Sequence, residues 1–294
     1  MERWLSKNTE SLVGKKVAVT GTTGGIGKEL CKYLARLGAE LILCDRNLER
    51  SEAFREALTE EYDAAVSCIT VDLSDMESVK RASRELKALK PDVFIHSAGA
   101  YSIPRYITGA GLDNVFQINF ASPYYIINDL LPVLRDNNGR VVVVGSIAHN
   151  YSKADFKDLD FHTRKAASKV YGNAKRYLMF SLFELFKNEE KVTLAVTHPG
   201  ITFTNITAHY PKIIFAIIKN PMKIIFMKPK KAALSVLKGV FEETSYHEWI
   251  GPRFFEIWGM PRKRKLKTAS VFESEKIGKA AQDIYENLQK DKKL

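Results

Sequence analysis

Short apolar runs alternate with amphipathic segments along most of the chain. The run Lys16–Thr20 is rich in β-branched residues, whereas from Glu29 onward apolar residues recur at helical spacing until Gly38. Further apolar runs follow at residues 40–44, 64–71, 92–96 and 140–144, again separated by segments of helical period. Strands that alternate with helices predict an α/β fold with a parallel sheet.

The run Arg140–Val144 is apolar without a break, which is typical of a parallel strand covered on both faces. Expected helices include one over residues 111–134, kinked at Pro123, and one over residues 163–187. We predict a Rossmann-type doubly wound parallel sheet of about seven strands with helices on both faces, as a single domain. Around it we place an N-terminal extension (1–13), a substrate lid (about 203–230) and a C-terminal helix (about 268–294).

Four glycines, at positions 21, 24, 25 and 27, separate the first strand from the first helix. Glycine permits close approach of the backbone, and the start of a helix offers unpaired N–H groups to an anion. A glycine pattern alone is weak evidence, because such turns occur in many loops. Its place between a strand and a helix predicts that this turn binds the pyrophosphate of a dinucleotide.

The residues that end the second strand bear on the choice of dinucleotide. Asp45 lies about 20 positions beyond the glycines, where a carboxylate can accept hydrogen bonds from the adenosine ribose of NAD. Arg46 can instead reach the 2′-phosphate of NADP, or the charged pair can be a solvated turn. Because Asp45 repels that phosphate, and Thr22 and Thr23 place no basic residue in the loop, NAD is the expected cofactor and NADP the alternative.

Composition limits the class of protein. With 294 residues, 45% of them hydrophobic, the chain can bury a large core. Its three cysteines have neither metal-ligand spacing nor an even framework, and its histidines form no spaced cluster, so we expect reduced thiols and no metal site. We find no signal-like run near Met1 and no run of 18 apolar residues, which predicts a cytoplasmic protein.

The net charge of +11 is concentrated in residues 211–267, which contribute +9. Such a bias can attract an anionic lipid surface, nucleic acid or an acidic partner, or it can be a solvated surface that aids solubility. The basic run 262–267 (RKRKLK) is not accompanied by a recognised nucleic-acid-binding fold. We therefore expect no nucleic-acid partner.

Residues 208–231 contain many more apolar side chains than a solvated loop needs, interspersed with lysines. The favoured interpretation is a lid over an apolar substrate. A peripheral membrane contact through residues 211–231 and a contact within a homo-oligomer are the alternatives.

Three residues suggest the chemistry. Ser146 follows the fifth strand, and Tyr171 stands four positions before Lys175, which places both on one face of the predicted helix. A free phenol has a pKa near ~10, and a neighbouring ammonium group lowers it, so Tyr171 becomes a usable general acid or base. The Tyr-x-x-x-Lys spacing is common on helices. It gains weight here because it stands downstream of a dinucleotide turn.

These features resemble the short-chain dehydrogenases/reductases over residues 14–205. The matching motifs are 20–27 (TGTTGGIG), Asp72, 97–99 (SAG), Asn119, Ser146, 171–175 (YGNAK), Pro199 and Gly200. A long stretch between Ser146 and Tyr171 is similar to the branch that contains the retinol dehydrogenases and the WW-domain oxidoreductase. The fold that this resemblance implies is the Rossmann fold predicted above.

The resemblance also implies catalytic roles. Tyr171 would pass a proton to or from the substrate oxygen as hydride moves at the nicotinamide. Lys175 would lower the pKa of that tyrosine and hold the nicotinamide ribose. Ser146 would hydrogen-bond the carbonyl oxygen, and Asn119 would anchor a water in a proton relay.

The cofactor-binding positions implied by the resemblance follow the bound dinucleotide from its phosphates to the nicotinamide. They are Gly21, Thr23, Gly25, Ile26 and Gly27 around the pyrophosphate, Asp45 and Arg46 at the ribose, Asp72 and Leu73 at the adenine, Ser97, Ala98 and Gly99 along the backbone, Tyr171 and Lys175 at the nicotinamide ribose, Pro199, Gly200 and Ile201 at the nicotinamide amide, and Thr202 or Thr204 at the phosphates.

One departure concerns the fourth strand, where the family often has two asparagines and this chain has His96 and Ser97. It puts a structural hydrogen bond of the central sheet in doubt but no catalytic group. The implied activity is NAD(P)-dependent interconversion of an alcohol and its ketone or aldehyde, acting on a small apolar substrate. The alternative is a catalytically silent NAD(P)-binding protein with a regulatory or membrane-surface role, which would not need all four catalytic residues.

Overall fold

The computed structural model describes residues 1–201, 227–266, 268 and 270–290. Its strands are β1 Lys16–Thr20, β2 Glu40–Asp45, β3 Val66–Thr70, β4 Val93–His96, β5 Arg140–Val144, β6 Thr193–Thr197, β7 Glu248–Phe254 and β8 Trp258–Lys265. They form one eight-stranded sheet in the order β3-β2-β1-β4-β5-β6-β7-β8. Neighbours from β3 to β7 are parallel and β8 is antiparallel to β7, so the predicted sheet gains one antiparallel edge strand.

The helices that cover this sheet lie between its strands in the sequence and at both ends of the chain. They are α1 Glu2–Asn8, α2 Gly25–Arg36, α3 Leu48–Tyr62, α4 Met76–Leu89, α5 Asn114–Phe116, α6 Ser122–Asp136, α7 Ala167–Leu185, α8 Pro229–Phe241 and α9 Val271–Gln289.

Alternate residues of each strand face opposite sides of the sheet, and both sides are apolar. In β5, Val141 and Val143 pack in the core beneath α4, α6, α7 and α9, whereas Val142 and Val144 pack in the core beneath α2, α3 and α8. Burial of both faces explains why the strands read as continuous apolar runs.

The helix expected over residues 111–134 has an irregular start. It begins at Asn114 and contains a π-helical turn, Gln117–Ala121, before α6. Pro123 lies in the first turn of α6 and has no N–H to donate to the carbonyl of Asn119, four residues earlier. The irregularity therefore precedes the proline, and π-turns of this kind are frequent at functional sites.

Three other features differ from the predictions. The N-terminal extension contains α1, and the helix expected at 163–187 is α7, which begins at Ala167. The hairpin of β7 and β8 was not predicted, because the charged strand β8 lacks an apolar alternation. Most of the expected lid, and with it Thr202 and Thr204, lies outside the described residues.

Candidate active site

A cleft of about 690 Å³ opens at the carboxyl ends of the parallel strands. It lies where the strand order reverses between β1 and β4, the usual ligand position in open α/β sheets, and its volume is typical of a ligand site. The predicted residues that line it are Gly21, Thr23, Gly25, Ile26, Gly27, Asp45, Arg46, Asp72, Leu73, Ser97, Ala98, Gly99, Ser146, Tyr171, Lys175, Pro199, Gly200 and Ile201.

The glycine turn leaves no room for side chains. Gly21 has a φ of +77°, and a Cβ atom there would lie 2.7 Å from the Cα of Ala98. A Cβ atom on Gly27 would lie 2.1 Å from the carbonyl oxygen of Gly21. At these two positions only backbone can stand at the start of α2, which fits the close approach of a pyrophosphate.

Asp45 holds this turn in place. Its carboxylate accepts hydrogen bonds from the backbone N–H of Thr22 at 3.2 Å, from the hydroxyl of Thr22, and from the N–H and hydroxyl of Thr23 at 3.4 and 3.2 Å. Burial raises the pKa of Asp45, and these four hydrogen bonds oppose that rise. From the sequence, the only ligand expected for Asp45 was the ribose of the cofactor. Thr22 and Thr23, the two hydroxyl-bearing residues after Gly21, were the sequence signal for the contact between Asp45 and the turn.

The same end of the cleft carries positive charge. Arg46 and Arg50 are exposed and line the cleft beside Asp45. Asn47 lies between them and caps α3 by accepting a hydrogen bond from the N–H of Arg50 at 2.8 Å. The start of α3 therefore presents two arginines to the adenosine end of the cleft, of which sequence analysis found one.

Tyr171 and Lys175 lie at the opposite end of the cleft, one turn apart on α7. The ammonium nitrogen of Lys175 is 5.8 Å from the centroid of the Tyr171 ring and donates to the carbonyl oxygen of Val144 at 2.8 Å. Burial lowers the pKa of Lys175 to about 7.

The pKa of Tyr171 does not follow the sequence-based expectation. Burial raises it to about 12, while a hydrogen bond with the side chain of Ser146 opposes the rise. The Lys175 ammonium group is directed at a backbone carbonyl of β5, and burial favours its neutral form. A pKa of about 12 keeps Tyr171 as a protonated phenol at neutral pH.

Ser146 is fixed by the turn that it starts. Its hydroxyl oxygen accepts a hydrogen bond from the N–H of Ala148 at 3.2 Å, which caps the short 3₁₀-helix Ile147–Asn150. Its carbonyl oxygen accepts a hydrogen bond from Nδ1 of His149 at 2.6 Å. Both contacts hold the hydroxyl group of Ser146 beside Tyr171.

Asn119 lies behind the cleft in the π-helical turn and is fully buried. Its amide nitrogen donates to the carbonyl oxygens of Ala100 and Val115, both at 2.8 Å, and its amide oxygen accepts from the N–H of Ala100 at 3.2 Å. A Cβ atom on Gly99 would meet that oxygen at 2.9 Å. The side chain therefore ties the loop after β4 to the helix, and both of its N–H groups are engaged by these carbonyl oxygens.

A network of hydrogen bonds connects the C-terminal helix to residues 146–150, which we call the catalytic turn because it starts at the predicted catalytic residue Ser146. Glu273 accepts hydrogen bonds from Arg176 at 2.8 and 2.7 Å, and Arg176 also donates to the carbonyl oxygens of His149 and Thr268. Nε2 of His149 lies 2.7 Å from the hydroxyl of Thr268. Since Nδ1 donates to a carbonyl oxygen of Ser146, Nε2 is the acceptor for that hydroxyl. Sequence analysis did not identify this network.

His96 supplies the sheet contact that the sequence left in doubt. It is fully buried, and its Nδ1 lies 3.0 Å from the hydroxyl of Thr20 on the neighbouring strand. That hydroxyl oxygen accepts from the N–H groups of Ser97 and Ala98, both at 3.2 Å, so its own proton goes to His96. Burial keeps the pKa of His96 well below its usual value, as expected for a packed structural histidine.

Aromatic and aliphatic side chains surround the end of the cleft that contains Tyr171 and Lys175, which we call the catalytic end after their predicted roles. Tyr101 packs edge-on against Tyr171 with ring centroids 5.3 Å apart. Ile103, Ile118 and Tyr151 line the same end of the cleft. This lining is apolar, but the sequence did not place these residues there, since they come from loops and from the irregular helix.

A second cluster of ionisable groups lies on the loop before α7. Ligand atoms of Asp158, Asp160 and His162 lie within 4.8 Å of one another. Arg164 forms ion pairs with Asp158 and Asp155, and a hydrogen bond with Asp160 raises the pKa of His162. Arg164 thus already pairs with two of the carboxylates on this loop.

Within the described ranges, no helix has the length and apolar character needed to cross a membrane.

The family model described as short chain dehydrogenase matches residues 15–212, so the chain belongs to that family. Human retinol dehydrogenase 13 is 30% identical over 206 residues, covering 68% of this chain and 62% of that protein. Human WW domain-containing oxidoreductase is 34% identical over 210 residues, covering 66% of this chain and 50% of that protein. The matches therefore span less than two thirds of either relative.

Both relatives lie in the branch predicted from the sequence, and that prediction is confirmed. The fold also agrees with a solved structure of an uncharacterised protein from Mycobacterium paratuberculosis, with a TM-score of 0.74, 23% identity and coverage of 96% of both chains. The short-chain dehydrogenases use NAD or NADP, so the prediction of a nicotinamide dinucleotide cofactor is confirmed at that level.

Proposed function

We propose that this protein is an NAD(P)-dependent oxidoreductase that interconverts an alcohol and its ketone or aldehyde. The observation that carries this proposal is the convergence of Ser146, Tyr171 and Lys175 at one end of a cleft whose other end is a bare glycine turn. A binding-only protein has no use for a buried lysine beside a tyrosine and a serine, because burial of the ammonium group is unfavourable.

The bound dinucleotide would supply or accept hydride at its nicotinamide ring. In the reductive direction, the phenol of Tyr171 donates its proton to the carbonyl oxygen as hydride adds to the carbonyl carbon. Ser146 donates a hydrogen bond to the same oxygen, and Lys175 would hold the nicotinamide ribose. In the oxidative direction, the proton of the alcohol returns to Tyr171.

The protonated state of the Tyr171 phenol favours reduction near neutral pH. Its pKa of about 12 keeps the phenol protonated, and that form donates a proton to a carbonyl. Oxidation needs the phenolate, so we expect its rate to rise with pH. The apolar lining around Tyr101 and Ile103 supports an apolar substrate, since it offers few groups to hydrogen-bond a polar one.

We further propose NADP(H) as the preferred cofactor. The carboxylate of Asp45 already accepts hydrogen bonds from Thr22 and Thr23, which reduces its capacity to bind ribose hydroxyls. Arg46 and Arg50 lie exposed at the same end and can pair with a 2′-phosphate. Sequence analysis favoured NAD, because Asp45 can bind the ribose hydroxyls and repels a 2′-phosphate, and because Thr22 and Thr23 place no basic residue in the loop. A cytoplasmic location and a homo-oligomeric state stay predictions from the sequence.

The test is calorimetric titration with NADH and NADPH, followed by a carbonyl panel with the cofactor that binds more tightly. Tyr171→Phe should keep cofactor affinity and lose about 10²- to 10⁴-fold in turnover, the usual contribution of a general acid. Tyr101→Phe, which keeps the neighbouring ring, is the matched control and should retain most turnover. Full turnover in Tyr171→Phe would remove the proposed acid.

A further inference from the structure

The tip of the β7–β8 hairpin exposes three large aromatic side chains. Phe255 is 77% exposed, Phe254 53% and Trp258 39%. Scattered single apolar residues are normal on a protein surface, but here three neighbours stand together at one tip.

The turn that carries these aromatic residues has an unfavourable backbone. The N–H of Ile257 donates to the carbonyl oxygen of Phe254 at 3.0 Å, which closes a four-residue turn. Both central residues, Phe255 and Glu256, have positive φ values, of 49° and 60°. Turns of this kind favour Asn-Gly, and a bulky residue with positive φ is an outlier that is often found at functional sites.

The tip rests on the rim of the active-site cleft. Ring nitrogen Nε2 of His198 lies 3.1 Å from the carbonyl oxygen of Glu256. A Cβ atom on Gly200 would lie 2.6 Å from the carbonyl oxygen of Ile257. His198 and Gly200 line the cleft, so the exposed aromatic residues stand beside its catalytic end.

Basic residues occur along the whole hairpin: Arg253 is next to Phe254 at the tip, Arg262 lies opposite Gly251 in the strand register, and Lys265 lies opposite Glu248 at the far end. The segment 248–265 has five Lys and Arg residues and two Glu residues. Arg264 and Lys263 form ion pairs with Glu256 and Glu242. Within the described ranges, we find no carboxylate paired with the exposed side chains of Arg253, Arg262 or Lys265.

We propose that this hairpin tip docks on an anionic lipid surface. Aromatic rings favour the interfacial region of a bilayer, and unpaired cations favour anionic lipid head groups. The docked tip would place the rim of the cleft at the membrane. This proposal concerns binding alone and holds whether or not the proposed oxidoreductase activity is correct.

The test is co-sedimentation of the full chain with phosphatidylcholine vesicles that either lack or contain phosphatidylserine. We expect binding to the anionic vesicles that weakens with added salt and weakens about fivefold in Arg253→Gln. Phe255→Ser should lower the affinity by at least about tenfold, since it removes a large apolar contact. Phe272→Ser is the matched control. Phe272 is 65% exposed and lies under the ammonium group of Lys276, but on α9.

Two results would overturn the proposal: no binding to anionic vesicles, or equal loss of binding in Phe255→Ser and Phe272→Ser. Tryptophan emission gives an independent readout in a Trp4→Phe background, because Trp249 is only 1% exposed and Trp258 lies at the tip. We expect a blue shift when anionic vesicles are added. An unchanged spectrum when vesicles are bound would also overturn the proposal, because the protein would then bind the lipid through another surface.

Discussion

The two ends of the cleft differ in what lines them: mainly backbone at one end and buried side chains at the other. The dinucleotide end is bare backbone at Gly21 and Gly27, held by one carboxylate. The catalytic end consists of buried side chains, with Lys175 and His149 both deprived of water and Arg176 fixed from the C-terminal helix. The backbone site depends on close packing, and its one buried carboxylate, Asp45, accepts hydrogen bonds from the turn itself. The catalytic site keeps ionisable groups where their charged forms are unfavourable, and it needs contacts from distant parts of the chain.

The largest effect that we expect from a single methyl group concerns the dinucleotide end. In Gly27→Ala the added Cβ would lie 2.1 Å from the carbonyl oxygen of Gly21, so the turn or α2 must shift. We expect a loss of about 3 kcal/mol in the free energy of unfolding and loss of dinucleotide binding, since overpacking against backbone cannot relax locally.

Gly109→Ala is the control for this substitution. It adds the same methyl group at a position with nothing within 4 Å and no positive φ. Denaturant unfolding of both variants, together with cofactor titration, measures the effect. Normal stability and affinity in Gly27→Ala would show that the dinucleotide end does not depend on close backbone packing.

The next effect concerns the catalytic end, where removal of a charged group should stabilise the protein. The pKa of Lys175 falls from an unfolded value near ~10.4 to about 7 on burial. Below pH 7 both states carry the proton, and the folded state bears the full desolvation penalty. Between pH 7 and 10 the unfolded state binds more protons, so stability rises with pH and the penalty disappears.

Lys175→Met should therefore raise the free energy of unfolding by about 2 kcal/mol at pH 6 and much less at pH 10. The gain is limited because the carbonyl oxygen of Val144 loses its donor. The same variant should lack turnover. Thermal unfolding across this pH range checks the prediction, and a destabilised variant at pH 6 would contradict the idea of an unfavourably buried ammonium group.

The difference between the two ends also explains what the sequence could predict. The glycine turn, the strands and Ser146, Tyr171 and Lys175 follow from local rules of strand, turn and helix spacing. The contact of Thr268 with His149 joins residues 119 positions apart. No local rule predicts such a contact, and β8 was missed because its charged edge lacks a strand pattern.

A smaller effect tests whether the C-terminal segment positions the catalytic turn. Thr268→Val removes the hydroxyl that donates to Nε2 of His149, whose other nitrogen holds the carbonyl of Ser146. We expect about a tenfold lower kcat with unchanged cofactor affinity, since even a small misplacement of a reacting group lowers the rate. Thr268→Ser keeps the hydroxyl and should restore turnover.

Glu275→Gln provides the control within the same C-terminal segment, on α9. Glu275 forms an exposed ion pair with Lys187 at 3.5 Å and has no contact with the catalytic turn among the described residues. Its loss should leave kcat unchanged. If Thr268→Val and Glu275→Gln behaved alike, the C-terminal segment would serve stability rather than the position of Ser146.

The smallest effect concerns the choice of cofactor at the dinucleotide end. Arg46 is exposed, so its pairing with a 2′-phosphate competes with water and salt and should contribute modestly. We expect Arg46→Ala to weaken NADPH binding about fivefold at low salt while leaving NADH binding within about twofold. Arg84→Ala, which removes an exposed arginine of α4 outside the cleft, should change neither affinity. Tighter binding of NADH than NADPH by the unaltered protein would instead mean that Asp45 still serves the ribose despite its contacts with Thr22 and Thr23.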